Sequence, residues 1–413
     1  MKVLLSAYAC EPGKGSEPGT GWNLALALAG HCEITVLTRS NNRGAIESAL
    51  QSLSGSKPEF IYHDLSPFFT GLKARGILST QAYYALWQKS AGRAIPKVRE
   101  LANYDVFHHV TFNSFEVRPG LLRRFPGARI WGPVGGGQRA PVGLTATLGT
   151  KSRIRESMRS LRVIVSAWNP CLRGALESCD LVLFANSETR NLFRNAKLGS
   201  SSEMIDVGVD PEQFAPTLKS GKGNRLFHAS NFEPRKGTRL LLLAFRQALH
   251  EKRDLRLRLA GDGPERRTEE AWVRSNGLEY AVEFVGRRSH HQMSQEFADA
   301  DLFVFPSIRD TSGAIVLEAM ACGLPVICLD HQGARMMVDD AWGIRVKPRS
   351  LEATVSDLAD AFVRLSGDGG LREAMGASAR ERVLENYSWE KKAEQLKSHY
   401  DACVAVRTRK NGR

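Results

Sequence analysis

The sequence predicts two doubly wound α/β domains, each built on a parallel sheet covered on both faces. Apolar, β-rich runs alternate with helical stretches from end to end of the chain. The runs are near-continuously apolar, as strands buried on both faces of a parallel sheet are. The alternation stops once, at the polar seam Asp206–Lys222, which holds Pro211, Pro216 and Lys219-Ser220-Gly221-Lys222, and then restarts. At 413 residues the chain also exceeds the ~100–200 residues of one ordinary domain. The division expected is an amino-terminal domain over 1–210 and a carboxy-terminal domain over 222–388, with a final helix over 389–406.

The elements follow in order. Strands are predicted at Lys2–Tyr8, Glu33–Thr38, Phe60–His63, Val106–Val110, Arg129–Trp131, Leu181–Ala185 and Met204–Val207. Helices between them include Trp22–Ala29, Ala82–Ala102 and Glu188–Asn195. Beyond the seam, strands are predicted at Leu226–Ser230, Arg256–Ala260, Val282–Val285, Leu302–Phe305, Val326–Leu329 and Ile344–Val346. Trp389, Ala393, Leu396 and Tyr400 give the tail one apolar helical stripe. The opening Met1–Cys10 is too short in apolar content for a secretion signal and reads as the first strand. No apolar run reaches the ~18–20 residues of a membrane span. Open parallel sheets take ligands at the carboxyl ends of their strands, so a site between two such sheets is expected.

The seven cysteines are scattered, with no CxxC pair, which argues against a disulfide framework or a structural zinc site. The net charge of +13 favours anionic partners such as phosphates, nucleic acid or acidic lipid. Aromatic content of 8% gives little support to a single-stranded nucleic-acid groove, and no nucleic-acid partner is expected.

Two segments carry the chemistry. Phe305–Ile327 reads as strand, loop, helix, tight exit and strand, with Gly323 and Pro325 stopping the helix. Ser312, Gly313 and Ala314 stand at the helix start, where free N–H groups and the helix dipole favour a diphosphate. Two carboxylates flank that start, Asp310 before the helix and Glu318 within its apolar run. Ionised carboxylates only accept hydrogen bonds and so suit sugar or ribose hydroxyls. The second segment, Leu226–Gly237, runs from a strand through Asn231, Arg235 and Lys236 into a helix from about Thr238.

At these residues the chain resembles glycosyltransferase family 4, retaining enzymes of the GT-B fold. Asp310, seven residues and Glu318 resemble the family's acidic-x7-Glu signature. The resemblance assigns the donor sugar to Asp310 and the ribose to Glu318. Lys236 matches the lysine of the family's Arg-x4-Lys-Gly element, which binds the donor diphosphate. Asn231 stands where the arginine is expected, and Arg235 is the candidate replacement. Leu259–Pro264 resembles the family's strand-end turn, and Phe284-Val285-Gly286-Arg287 the loop that reads the nucleobase. The first domain is then the acceptor domain, and the final helix is expected to cross back onto it. Its loop Glu11–Trp22, with Gly15 and Ser16, resembles the glycine-rich loop that approaches the donor phosphates. Family members often carry a histidine at the end of the strand Asp105–Thr111, lining the sugar site. Side chains alternate along a strand, so one of His108 and His109 can face a cleft, and His109 is favoured. His290-His291 reads as polar loop.

The function expected is transfer of a hexose-type sugar from a UDP- or GDP-sugar, a co-substrate rather than a cofactor, to a hydroxyl of a glycan, lipid-linked glycan or small molecule. Lys236, Arg235 and the helix start would stabilise the leaving diphosphate. No carboxylate pair for a diphosphate-bound metal accompanies them, so metal independence is expected. An inverting GT-B enzyme using His109 as base, or a nucleotide-sugar-binding protein without turnover, are the rival readings. Within Lys151–Val165, Ile154, Met158, Leu161 and Val165 form an apolar helical stripe beside Arg155, Arg159 and Arg162. That pattern suits a helix packed on its own domain, the reading favoured because apolar stripes usually face a core, or one lying on an anionic membrane; a cytoplasmic enzyme is expected, and the second alternative would dock it on the inner membrane face.

Overall fold

The structure is a computed structural model that describes residues 1–112, 114–216 and 223–411. The chain divides into two compact units. The first comprises Met1–Gly137, Arg162–Val207 and the helix Trp389–Asn411. The second comprises Gln138–Leu161 and Gly208–Ser388. The part of the seam at 217–222 lies outside the described residues.

The sheet of the first unit holds β1 (Lys2–Ser6), β2 (Glu33–Thr38), β3 (Glu59–Tyr62), β4 (Val106–His109), β5 (Ala128–Val134), β6 (Leu181–Phe184) and β7 (Ser201–Glu203). Their order is β3-β2-β1-β4-β5-β6-β7, and every pairing is parallel. The order reverses between β1 and β4, which is where a doubly wound sheet opens its ligand crevice. Alternate side chains of β1 feed two cores. Val3 and Leu5 pack with Trp22, Ala25 and Ile34 on one face, and Leu4 packs with Trp87, Phe107 and Trp131 on the other.

The final helix closes the first of these cores. Ala393, Leu396 and Tyr400 are buried in it, as the apolar stripe of the tail requires. The Tyr400 hydroxyl lies 2.6 Å from Nδ1 of His108, and the Lys392 ammonium donates to the Ile205 carbonyl at 2.6 Å. Arg407 pairs with Asp180 at 2.7 Å.

The sheet of the second unit holds β8 (Arg225–Ala229), β9 (Arg256–Ala260), β10 (Val282–Gly286), β11 (Leu302–Phe305), β12 (Val326–Leu329) and β13 (Gly343–Val346). Its order, β10-β9-β8-β11-β12-β13, repeats the pattern of the first sheet, again all parallel. The reversal falls between β8 and β11. The core gathers Leu226, Leu241, Phe245, Leu257, Val304, Ile327 and Phe362.

Three elements differ from the sequence reading. The stretch Gln138–Leu161, expected in the first domain, groups with the second unit because Leu144 and Leu148 are buried in that core. The expected strand Met204–Val207 is a buried irregular segment, and β7 is the polar Ser201–Glu203 before it. As an edge strand, β7 is half-buried throughout and carries no apolar signal. His290 and His291 open the helix His290–Asp299 rather than a loop, and their side chains lie outside the described residues. Ser289 caps that helix through a reciprocal box with Gln292.

Candidate active site

The loops that leave β8 and β11 build the site of the second unit. Gly237 follows the short turn Pro234–Lys236 and holds φ 74°, and a Cβ there would lie 2.1 Å from the Pro306 carbonyl oxygen. Only glycine lets the two loops approach so closely. The Arg235 carbonyl then accepts the N–H groups of Ile308 at 2.9 Å and Arg309 at 3.1 Å. This stitching places the Lys236 ammonium 2.5 Å from the Asp310 carboxylate, with the Arg235 guanidinium 3.8 Å from Asp310 and 2.6 Å from Glu233.

Asp310 is held from several sides. Its backbone N–H donates to the Gln332 side chain at 2.7 Å, and its carboxylate accepts the Thr311 N–H at 3.1 Å. Burial pushes its pKa up, but the charges of Lys236 and Arg235 outweigh burial and hold it below the ordinary value. Asp310 is therefore an ionised group inside the protein.

The helix Ala314–Ala321 begins just beyond. Gly313 holds φ 97°, with room for no Cβ, since one would meet the Phe305 ring at 2.6 Å. No side chain caps the helix, so its first N–H groups and the dipole are presented to a ligand. Ser312 before it is buried. Glu318 lies one turn beyond Ala314, on the same face. It is half-buried, and among the described residues its carboxylate makes no hydrogen bond or ion pair. Burial pushes its carboxyl up to about 7.

The ends of β9 and β10 complete this edge. Gly261 holds φ 123° with its Cα against the Ser230 carbonyl, and its N–H donates to Gly286 at 2.8 Å. Arg287, beyond Gly286, is exposed and 3.9 Å from Asp262. Asn231 is exposed on the loop after β8. The second unit thus brings Asn231, Arg235, Lys236, Asp310, Ser312, Gly313, Ala314 and Glu318 to the carboxyl ends of β8 and β11, with Arg287 at the end of β10.

Several positioning residues escaped the sequence reading. Gln332, at φ 54°, holds the Asp310 N–H and donates to the Arg139 carbonyl at 2.9 Å. His331 engages the Ser307 carbonyl at 2.9 Å. Arg309 pairs with Glu156 at 2.8 Å, and the Gln138 amide donates to Thr311 at 2.8 Å. Their partners are far away in sequence, and no local spacing announces them. Gly333, whose Cα fits only against the Thr311 carbonyl, was the one available signal.

Gly15, Ser16 and His109 belong to the first unit. Gly15 and Ser16 are exposed at the start of the helix Ser16–Ala29, with Ser16 at φ 58°. His109 departs from expectation. It is fully buried, its ring nitrogens engaged by the Tyr84 hydroxyl at 2.8 Å and Ser6 Oγ at 3.0 Å. Burial, helped by the adjacent His108, lowers its pKa to about 3 and keeps it neutral. His108 is equally buried on the opposite face of the strand. Neither ring offers a free nitrogen, because the strand end is covered on both sides.

Two doubly wound sheets, with a lysine–aspartate cluster and an uncapped helix carrying a free glutamate at the ends of one of them, define a GT-B protein. Residues 209–382, most of the second unit, match the family model of group 1 glycosyl transferases. The chain is 30% identical over 239 residues to a GDP-mannose-dependent monoacylated alpha-(1-6)-phosphatidylinositol monomannoside mannosyltransferase of Corynebacterium glutamicum, covering 52% of this chain and 61% of that one. It is 27% identical over 285 residues to a GDP-mannose-dependent alpha-(1-6)-phosphatidylinositol monomannoside mannosyltransferase of Mycolicibacterium smegmatis, covering 63% of this chain and 74% of that one. In fold it is similar to sucrose-phosphate synthase from Thermosynechococcus elongatus, with a TM-score of 0.68 and 20% identity over 98% of this chain and 99% of that one.

Proposed function

We propose that the chain is a retaining, metal-independent hexosyltransferase that takes its sugar from a GDP- or UDP-sugar and places it on a hydroxyl of a glycan or lipid-linked acceptor. The observation that carries this reading is Glu318, a carboxylate without a partner among the described residues, one turn inside an uncapped helix beside the Lys236–Asp310 pair. A diphosphate at the helix start shares Lys236 with Asp310 and draws on Arg235, so charge developing on the leaving group meets fixed opposite charge. Glu318 accepts the ribose hydroxyls, and Asp310 orients the donor sugar. Asn231 adds no cation, which places more of the phosphate contact on Lys236 and Arg235. His109 takes no part as a base in this reading. GDP-mannose use by the two relatives supports a guanosine donor without excluding a uridine one.

Docking at an anionic membrane on the cytoplasmic side belongs to the same reading. Among the described residues, no helix is long and apolar enough to cross a membrane. On the helix Thr150–Ala167, however, Ile154, Met158, Leu161 and Val165 are each more than half exposed, and Trp168 continues the apolar face. Lys151, Arg153 and Arg155 lie exposed beside them. Arg159 does not join this basic edge, because it turns inward to Glu156 and the Gln138 carbonyl. Arg162 is paired with Glu116 at 3.0 Å.

The test is a thermal-shift screen of nucleoside diphosphates followed by transfer assays. A ligand at about 100 times its dissociation constant raises stability by ~2.7 kcal/mol. Glu318→Ala is expected to abolish transfer in a folded protein. Normal turnover in that variant overturns the site assignment. Nucleotide binding without transfer to any acceptor establishes the non-catalytic alternative.

A further inference from the structure

We propose that Arg39 and Lys73 of the first unit form a recognition site for a phosphate or carboxylate group of the acceptor. The proposal rests on the transferase reading only in calling the ligand an acceptor. Tyr8 lies two residues beyond β1, and Arg39 is the first residue beyond β2. Both therefore stand at the carboxyl edge of the sheet, where a doubly wound fold takes its ligand. Tyr8 is fully buried, fixed by edge contacts with Tyr84 at 4.9 Å, Trp87 at 5.2 Å and Phe112 at 4.9 Å.

Two cations converge on this ring. The Arg39 guanidinium sits 4.2 Å from its centroid and donates to the Tyr8 carbonyl at 3.2 Å. Lys73, on the helix Pro67–Ala74, brings its ammonium 3.5 Å from the Tyr8 hydroxyl and 4.6 Å from the Tyr83 ring. Neither cation forms an ion pair among the described residues. Asp64, the carboxylate beyond β3, accepts the Ser40 N–H at 3.2 Å and the Ser40 hydroxyl instead. Burial and the charge of Arg39 together lower the pKa of Lys73, as two partly dehydrated like charges must.

Two half-buried cations on one rigid aromatic platform form no direct ion pair among the described residues, and Asp64, the carboxylate that acts on the same tyrosines, is bound to Ser40. An anion between them would gain the planar fork of the guanidinium and the point charge of the ammonium, with the Tyr8 hydroxyl as a further donor. Phe68 on the same helix and Ile77 just past it are exposed, so an acceptor with an apolar tail would also find cover.

The experiment is isothermal titration of the full chain at low salt with glycerol 3-phosphate, with monomeric dihexanoyl phosphatidic acid, and with glycerol as the uncharged control. The expected result is saturable binding of both phosphates and none of glycerol. Arg39→Gln and Lys73→Gln should each weaken binding by about tenfold or more, while Lys73→Arg retains it and all variants keep their melting temperature. Tighter binding of the lipid, lost in Phe68→Ser, assigns a lipid-borne anion. Equal affinity assigns a soluble one. Absence of saturable binding for both phosphates, or binding unchanged in the Arg39→Gln/Lys73→Gln double variant, overturns the proposal. GDP and UDP binding, measured in the same variants, should not change, and its absence in the wild type counts against the donor reading alone.

Discussion

Glu318→Gln should make the protein more stable above neutral pH and at the same time end sugar transfer. The free carboxyl titrates near 4.5 in the unfolded chain and near 7 in the folded one, because burial disfavours its charge and no cation compensates. Between those values the folded state keeps a proton that the unfolded state has released. Stability therefore falls as pH rises from about 4.5 to about 7 and is level above that. At about 1.36 kcal/mol per pH unit, the whole effect is at most ~3 kcal/mol. Glutamine has nearly the same shape and no charge, so the variant escapes this loss. Urea unfolding at pH 5 and pH 8 is the assay, with hydrogen exchange assigning the transition to the second unit. The variant should match the wild type at pH 5 and exceed it by up to ~3 kcal/mol at pH 8. Donor binding by the wild type should weaken below pH 7, since the ribose hydroxyls need an ionised acceptor. A variant no more stable than the wild type at pH 8 refutes the claim that Glu318 waits uncompensated for a ligand.

Lys236→Met should lower nucleoside diphosphate affinity by about tenfold or more. It should also raise the pKa of Asp310, whose stabilising contribution is lost as pH falls through its lowered value; NMR titration of Asp310 reads this directly. Arg235→Ala should weaken diphosphate binding clearly, whereas a silent Arg235→Ala together with a strengthening Asn231→Arg would show that Arg235 does not replace the expected arginine. Transfer should survive EDTA, and a strict manganese or magnesium requirement would contradict the proposed diphosphate clamp. Anionic vesicles should co-sediment the protein at low salt and neutral vesicles should not; Met158→Glu with Leu161→Glu should release it, and equal, negligible binding to both vesicles leaves an enzyme without a membrane face.

The strand pattern was legible because strands covered on both faces of a parallel sheet are largely apolar, with charged residues such as Glu33, Arg256 and Arg258 kept to exposed or half-buried positions. Glu33–Thr38, Arg256–Ala260, Leu302–Phe305 and Val326–Leu329 have the bounds that their composition suggests. Reading failed where burial and strand structure part company, as at Met204–Val207, which is buried without being a strand. The cluster at the carboxyl ends of β8 and β11 was legible because its loops are local. Lys236 stands in the loop after β8 and Asp310 in the loop after β11, and Gly237, which lets the two loops meet, stands in the sequence beside Lys236. Gln332, Glu156 and Gln138 were not legible, since their roles depend on long-range packing of Thr311, Arg309 and Asp310. His109 was misread for a related reason: alternation decides which face a side chain takes, but not that Tyr84 covers that face.

The six strands of the second sheet repeat the order of the first sheet without its edge strand β7, yet the two sheets treat charge at their ligand edges in different ways. In the second unit Lys236, Arg235, Asp310 and Glu233 largely neutralise one another before any ligand arrives, while among the described residues the Glu318 carboxylate has no partner. In the first unit Arg39 and Lys73 share a tyrosine, and among the described residues neither is ion-paired. Groups left this way lower the stability of the free protein, so ordinary selection for folding would not keep them. Each is matched by the chemistry of a ligand: hydroxyls that donate to a carboxylate in one unit, an anion for two cations in the other. Ligand binding then stabilises each unit through the very groups that weaken it when empty, and the gain follows ligand concentration relative to the dissociation constant. Under the proposed assignment, a donor nucleotide should raise the melting transition of the second unit and an anionic acceptor that of the first. Two separable shifts, one abolished by Lys236→Met and the other by Arg39→Gln, are the outcome expected of hydrogen exchange with each ligand in turn. Protection confined to one unit for both ligands would show that a single edge does all the binding.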